Sequence, residues 1–313
     1  MNNRPTPHAA DVGPIGRVMS LTEKILNVRP DRPLFHYTSA SGLLGILSSG
    51  SIWATHIAYL NDMTEFVHGM SIVREVIEGR FPGANAADRP YYEAVLKNLD
   101  RMNKLVATNT YVSSFCEAED ELSLWRGYCP HNAGYAFGFD WRQDTDETSI
   151  ITRCVYDNEL KRGIVEEQLD THSRSDVTEV RQRYANSKVP NTLSVAEWRA
   201  IAFTEMFYTL APSFKHSSFK EEREWRLVVM QPSEFRQSER FRPSDTMLIP
   251  YLEHSLLFRR VLQVDKIVVG PTSHPYAAGH AIERFLHSWL REERPFQIQC
   301  KAVQLSRVPY RRV

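Results

Sequence analysis

The 313-residue chain is poor in cysteine, has no long apolar run and carries no surplus of either charge. Cys116, Cys129, Cys154 and Cys300 are scattered and none forms a CxxC pair, so neither a structural zinc site nor a disulfide framework is supported. Buried, reduced thiols are expected. No stretch approaches the roughly eighteen apolar residues of a membrane span, and the opening MNNRPTPHAADVGPIGRV lacks the apolar core of a secretory signal. A cytoplasmic chain with no membrane partner is expected. Lys and Arg number 38 against 38 Asp and Glu, which excludes a generic polyanion binder. The same neutrality does little to oppose a homo-oligomer.

Missing motifs narrow the chemistry further. There is no GxxxxGK[ST], HExxH or GxSxG, and no GxGxxG after a strand, so kinase, zincin and serine-hydrolase readings have no support. The single ExxH, Glu65 to His68, falls short of the doubled motif of di-iron bundles, and His274 and His280 do not share a helix face. No metal is expected.

What is present reads as a flexible N-terminal arm over 1–31, rich in proline, and one α+β domain over 32–313 with helical insertions at about 63–106 and 161–210. Met19 to Val28 is compatible with a short helix inside the arm. Leu34 to Thr38 reads as a strand, Ser39 as a cap, Leu43 to Leu47 as a short helix stopped by Gly50, and Ser51 to Thr55 as the next strand. Further strands are expected at Tyr111–Cys116, Tyr135–Asp140, Ile150–Tyr156, Glu224–Met230, Thr246–Pro250, Val261–Val269 and Phe296–Val303. Helices are expected at Met63–Gly79, Tyr91–Val106, Asp120–Tyr128, Lys161–Ser187, Val195–Leu210 and Ala277–Arg291.

Four segments carry more polar and aromatic groups than a core needs. In Phe35-His36-Tyr37-Thr38-Ser39 a histidine ends a strand at a helix N-terminus, which suits an anion or a ribose hydroxyl, and equally a satisfied structural histidine. Tyr59-Leu60-Asn61-Asp62, with Glu65 behind, is a ligand contact or an Asx turn. Ser113-Ser114-Phe115-Cys116 precedes Leu122 to Tyr128, where Trp125 and Tyr128 share a helix face and Arg126 points elsewhere and could clamp a phosphate. In Phe219 to Val229, strand alternation sends Glu222, Glu224 and Arg226 to one face. That face suits electrostatic catalysis, or protection of an edge strand.

The pieces FHYTSASGLLGILSSGSIWATHIAYLNDMTEF, SFCEAEDELSLWRGY, GYAFGFD, FKEEREWRLVV, IVVGP and SRVPYR, in this order, resemble the bacterial domain-of-unknown-function family 2971 over Leu34 to Arg311. More distantly, the strand ending in His36, the short helix and the later Glu222-Arg223-Glu224 are similar to the ADP-ribosyltransferase superfamily and its arginine-directed members. That resemblance implies an α+β fold with a split, mainly antiparallel sheet. It also implies an NAD-consuming ADP-ribosyltransferase or NAD glycohydrolase, in the setting of a bacterial toxin or phage-defence effector. NAD would be a substrate, and the acceptor a protein, a nucleic acid or water.

The resemblance also implies roles. His36 would hold a ribose hydroxyl, and Tyr59, Tyr111 or Tyr128 would stack on nicotinamide. Tyr37, Thr38, Asn61 and Ser114 would add contacts. Glu224 would stabilise the oxocarbenium-like transition state, Glu222 would act as general base, and Arg126 and Arg226 would meet the pyrophosphate. Two other classes stay open: a non-enzymatic nucleotide- or protein-binding module, and a metal-dependent nuclease using Asp62, Glu65, Glu222 and Glu224.

Overall fold

The computed structural model describes residues 19–60, 64–102, 110–129, 134–141, 149–185, 189–190, 192–230, 239–244 and 246–309. In chain order the first part holds α1 (Leu21–Leu26), β1 (Leu34–Thr38), α2 (Ala40–Ser49), β2 (Ser51–His56), α3 (Thr64–Arg80) and α4 (Asp88–Met102). There follow β3 (Thr110–Cys116), α5 (Leu122–Tyr128), β4 (Tyr135–Phe139), β5 (Ser149–Arg153), α6 (Asn158–Ser173), α7 (Thr178–Arg183) and α8 (Val195–Leu210). The last part holds β6 (Glu224–Met230), β7 (Arg240–Pro243), β8 (Leu248–Ser255), β9 (Leu257–Phe258), β10 (Val261–Val269), α9 (Pro275–Arg291), β11 (Gln297–Cys300) and β12 (Val303–Leu305).

The β1–α2–β2 unit is fixed by local chemistry. The hydroxyl of Ser39 accepts from the amide of Gly42 and so caps α2, and Gly50 ends it in the left-handed region at φ 65°. A Cβ on Gly42 would stand 2.0 Å from Thr38 Oγ1, so glycine is what lets the first turn of α2 lie against the end of β1.

The sheet is mainly antiparallel, with parallel pairing where α9 carries the chain from β10 to β11 and β12. Its organising strand is β3. One edge of β3 pairs with β6 along the whole run from Thr110 to Cys116. The other edge is shared: β2 takes it at Tyr111 and Val112, and β1 meets it at one residue pair, Phe35 with Cys116. Since a strand has only two edges, β1 and β2 must fork apart along β3, and Ser113 and Ser114 lie in the fork. One wing runs from β1 through β4 to β10; the other runs through β2 and β8 to β7. An apolar core that includes Leu34, Leu43, Leu47, Phe115, Phe137, Leu227 and Trp289 spans both wings.

The two helical insertions meet each other. From the first, α4 packs on α8 and α3 packs on α6; their shared core includes Val73, Ile77, Val95, Leu99, Ile164, Leu169, Phe203 and Phe207. Within the expected arm, the stretch Met19 to Val28 holds the short helix compatible with its sequence. Residues 21–26 form α1, opened by a capping box between Ser20 and Glu23, with Thr22 and Ile25 buried. Glu167 of α6 accepts the amides of Leu21 and Thr22, and Gln168 donates to Thr22 Oγ1, so α1 is docked on α6. Lys161–Ser187 divides into α6 and α7, and Phe296–Val303 into β11 and β12. No helix among the described residues is long and apolar enough to cross a membrane.

Candidate active site at the fork of the sheet

The site is built around a buried lysine. After α8 the chain turns through Ala211–Ser213 and is stitched to the segment following β5: the Val155 amide donates to the Ser213 carbonyl at 2.7 Å, and the Lys215 amide donates to the Val155 carbonyl at 3.0 Å. Lys161 of α6, fully buried, donates to the Lys215 carbonyl at 2.7 Å. The helical body therefore fixes the backbone of Lys215. Its Nζ then donates to Glu222 Oε2 at 2.7 Å and to Glu224 Oε2.

The two glutamates do not both lie on a strand, contrary to the alternation expected from the sequence. Glu222 ends a 3₁₀ turn over Ser217–Glu222, Arg223 adopts φ 45° and ψ 50°, and β6 begins at Glu224. A left-handed non-glycine residue is uncommon and mildly strained. Here it swings both carboxylates onto one lysine. Both oxygens of Glu224 are engaged: Oε1 accepts from Arg226 Nε at 2.7 Å, and Oε2 accepts from Arg226 Nη2 at 3.3 Å and from Lys215. Burial alone would raise the Glu224 pKa, but the guanidinium of Arg226 and the ammonium of Lys215 hold it at about 2. Glu222 is more open, with 18% of its side chain exposed. Its Oε2 takes both Lys215 and the Tyr128 hydroxyl, the latter at 2.9 Å, and among the described residues no hydrogen bond reaches Oε1.

A cavity of about 50 Å³ is lined by Phe35, His36, Tyr37, Ser114, Tyr128, Glu222 and Glu224, among others. A second, of about 380 Å³, opens beside it and shares His36, Ser114 and Tyr128. His36 bridges the fork. Its Nδ1 lies 2.9 Å from the Ser114 carbonyl, which can only accept, so Nδ1 carries the proton and Nε2 is left as an acceptor. Burial pushes the His36 pKa below its ordinary value, against the opposing pull of that carbonyl, and the ring is neutral near pH 7.

The larger cavity runs along the first turn of α2, past Thr38, Ser39, Ser41 and Gly42, to Trp53 and Arg242. Trp53 is 41% exposed and lies against Tyr251 with ring centroids 4.4 Å apart. Two residues of its lining, Ser113 and Arg242, each have a buried polar atom (Oγ and Nε) with no hydrogen-bond partner among the described residues. Such atoms are costly unless a ligand or water satisfies them.

Of the residues expected from the sequence, the fold brings His36, Tyr37, Thr38, Ser114, Tyr128, Glu222 and Glu224 to these two cavities. Tyr37 also uses its hydroxyl structurally, donating to the Ala118 carbonyl and accepting from the Glu121 amide. Tyr59 and Tyr111 line neither cavity: both pack on His56, and Tyr111 donates to Glu239. Arg126 is exposed on α5, turned away by helical periodicity from the face that carries Tyr128. Arg226 is buried and directs its donors at Glu224 and the Pro212 carbonyl, not at either cavity. Asn61 and Asp62 lie outside the described residues.

For a carboxylate-bound metal, the space between Glu222 and Glu224 is taken by Lys215, and among the described residues no group of three or more His, Cys, Asp or Glu side chains is arranged to hold an ion. The four cysteines are free thiols, and burial pushes that of Cys116, which lines the smaller cavity, well above its ordinary pKa. Sequence reasoning missed Lys215, Trp53 and Arg242, because only the sheet brings them beside the glutamates and the histidine.

The fold and site thus define an α+β protein with a mainly antiparallel sheet and a polar cleft at its fork. The family described as Protein of unknown function (DUF2971) matches residues 124–227. That segment runs from α5 into β6 and contains Tyr128, Lys215, Glu222 and Glu224 but not His36, a narrower span than Leu34 to Arg311. No curated protein and no solved structure matches the chain.

Proposed function

We propose that the chain cleaves the bond between nicotinamide and ribose in NAD, as an ADP-ribosyltransferase-like enzyme or an NAD glycohydrolase. The observation that carries this reading is that His36, Tyr128, Glu222 and Glu224 line one cavity, although the glutamates lie 186 and 188 residues beyond His36 in the chain. His36 Nε2 accepts a ribose hydroxyl and the Tyr128 ring offers a face to the pyridinium. Glu222, with Oε1 open, faces the carbon where positive charge develops and takes the acceptor's proton. Glu224 keeps its charge through Arg226 and Lys215 and fixes the lysine that orients Glu222. The pyrophosphate falls to Arg242 and the first turn of α2, in place of Arg126 and Arg226, and the adenine to Trp53.

One observation favours a second reading, a nucleotide-binding module without turnover: Glu224 has both oxygens engaged by internal cations. The two separate in one experiment, in which the protein is incubated with NAD while nicotinamide release and thermal stability are followed. Release together with stabilisation is the expected outcome. Stabilisation without release selects the binding module, and neither response overturns both.

A further inference from the structure

The Glu222-Arg223-Glu224 sequence resembles that of arginine-directed enzymes, yet the geometry around it is wrong for a guanidinium acceptor. We infer that the acceptor at this site is a neutral hydroxyl, that of water or of an alcohol; this rests on the NAD-cleaving reading above. Three observations carry it. A guanidinium is recognised by a carboxylate through two parallel N–H···O bonds that use both oxygens. Glu222 has only one to give, since Oε2 already accepts from Lys215 Nζ at 2.7 Å and from the Tyr128 hydroxyl at 2.9 Å. Glu224 is buried, and Arg226 and Lys215 already engage both of its oxygens, so it offers no open pair to a second guanidinium.

Charge gives the second observation. Two carboxylates and two cations, Lys215 and Arg226, make the cluster neutral as built. An arriving guanidinium would be a third cation near Lys215, losing its hydration without a free anion to replace it. The third is the cavity wall: alongside His36, Ser114 and the glutamates it is largely apolar or aromatic, with Phe35, Tyr37, Phe115, Leu124 and Tyr128 in it, a surface that suits a small neutral group.

The step balances without any further reactant. The C1′–N bond of the nicotinamide ribose breaks and its electron pair passes to the ring nitrogen, which leaves as neutral nicotinamide. A lone pair of the acceptor oxygen forms the new C1′–O bond, and the hydroxyl proton passes to Glu222 Oε1 and then to solvent. With water the products are ADP-ribose and nicotinamide; with an alcohol, the corresponding ADP-riboside, an acetal at C1′, and nicotinamide.

The test resolves products from adenine-labelled NAD by chromatography in three arms: buffer alone, buffer with methanol, and buffer with agmatine as the guanidine probe. The expected result is ADP-ribose in buffer, an added methyl ADP-riboside with methanol, and no agmatine adduct or rate increase. Glu222→Gln slows nicotinamide release in both the water and methanol arms by about 100-fold or more, the usual scale for loss of a general base. Saturable acceleration by agmatine with formation of its adduct overturns the acceptor assignment while leaving the NAD-cleaving reading in place. Absence of nicotinamide release in every arm overturns that reading, and the assignment with it.

Discussion

His36 donates through Nδ1 to the carbonyl oxygen of Ser114, 2.9 Å away, where β1 and β3 part company. Only Phe35 and Cys116 pair the two strands, so the imidazole takes a carbonyl in the fork that β1 no longer reaches. The bond ties the β1 wing to β3 and fixes the tautomer that leaves Nε2 as an acceptor. It links the fold of the sheet to the chemistry of the cleft.

The pH dependence of ligand binding follows from that ring. Burial holds the His36 pKa below 6.5, so Nε2 stays an acceptor at and above that pH. NAD-induced thermal stabilisation is expected to be level down to about pH 6.5 and to fall only below it. A loss of stabilisation on raising the pH through 7 would contradict the assigned tautomer. The same depression lowers the stability of the fold in acid, since protonation is harder in the folded than in the unfolded state.

The two glutamates differ in what their removal costs. Glu224→Gln leaves Lys215 and Arg226 buried with too little negative charge, a change expected to destabilise by about 3–5 kcal/mol. Glu222→Gln removes one partner of Lys215 from a side chain with some solvent access, and is expected to cost about 1 kcal/mol. Urea unfolding of the two variants measures both. Glu224→Gln is therefore a poor probe of catalysis, because loss of activity would be confounded with loss of fold.

Acid stability should show the same buried carboxylate. The folded pKa of Glu224, about 2, lies below its ordinary 4.5, so its contribution is fully present above pH 4.5 and is lost as the pH falls toward 2. On the order of 3 kcal/mol is expected to disappear across that window. Denaturant midpoints measured stepwise between pH 6 and pH 2.5 test this, and in Glu224→Gln that part of the pH dependence should be missing.

Much of the fold was legible in the chain. The bounds of β6 and β10 follow from runs of β-branched and apolar residues ended by polar ones, and those of α2 from Ser39 and Gly50. The fork was not legible, because it depends on two strands dividing one edge of β3, and nothing in Ser113 or Ser114 announces that. The site was half legible. His36, Tyr128, Glu222 and Glu224 stood out as polar or aromatic groups at element ends. Arg226 is displaced from the expected phosphate role because a guanidinium two residues from a glutamate on one strand face bonds it directly, and it lines neither cavity. Lys215 gave no signal, since its role comes from the path of the chain after α8 and the grip of Lys161 on its carbonyl.

The backbone at Arg223 offers a check on how the carboxylates are brought together. At φ 45° glycine is tolerated and a β-branched residue is not. Arg223→Gly is expected to keep the unfolding free energy within about 1 kcal/mol of wild type in urea, whereas Arg223→Val should destabilise by more and lower activity by displacing Glu222. Equal behaviour of the two variants would show that the left-handed turn does not matter.

On the proposed reading, one NAD molecule is held across the fork, gripped by His36 and attacked beside Glu222. Steady-state nicotinamide release by wild type, His36→Ala and Glu222→Gln tests it most directly. His36→Ala is expected to raise KM, and Glu222→Gln to lower kcat by about 100-fold or more while NAD still stabilises the folded protein. Release that is the same in all three proteins would contradict it.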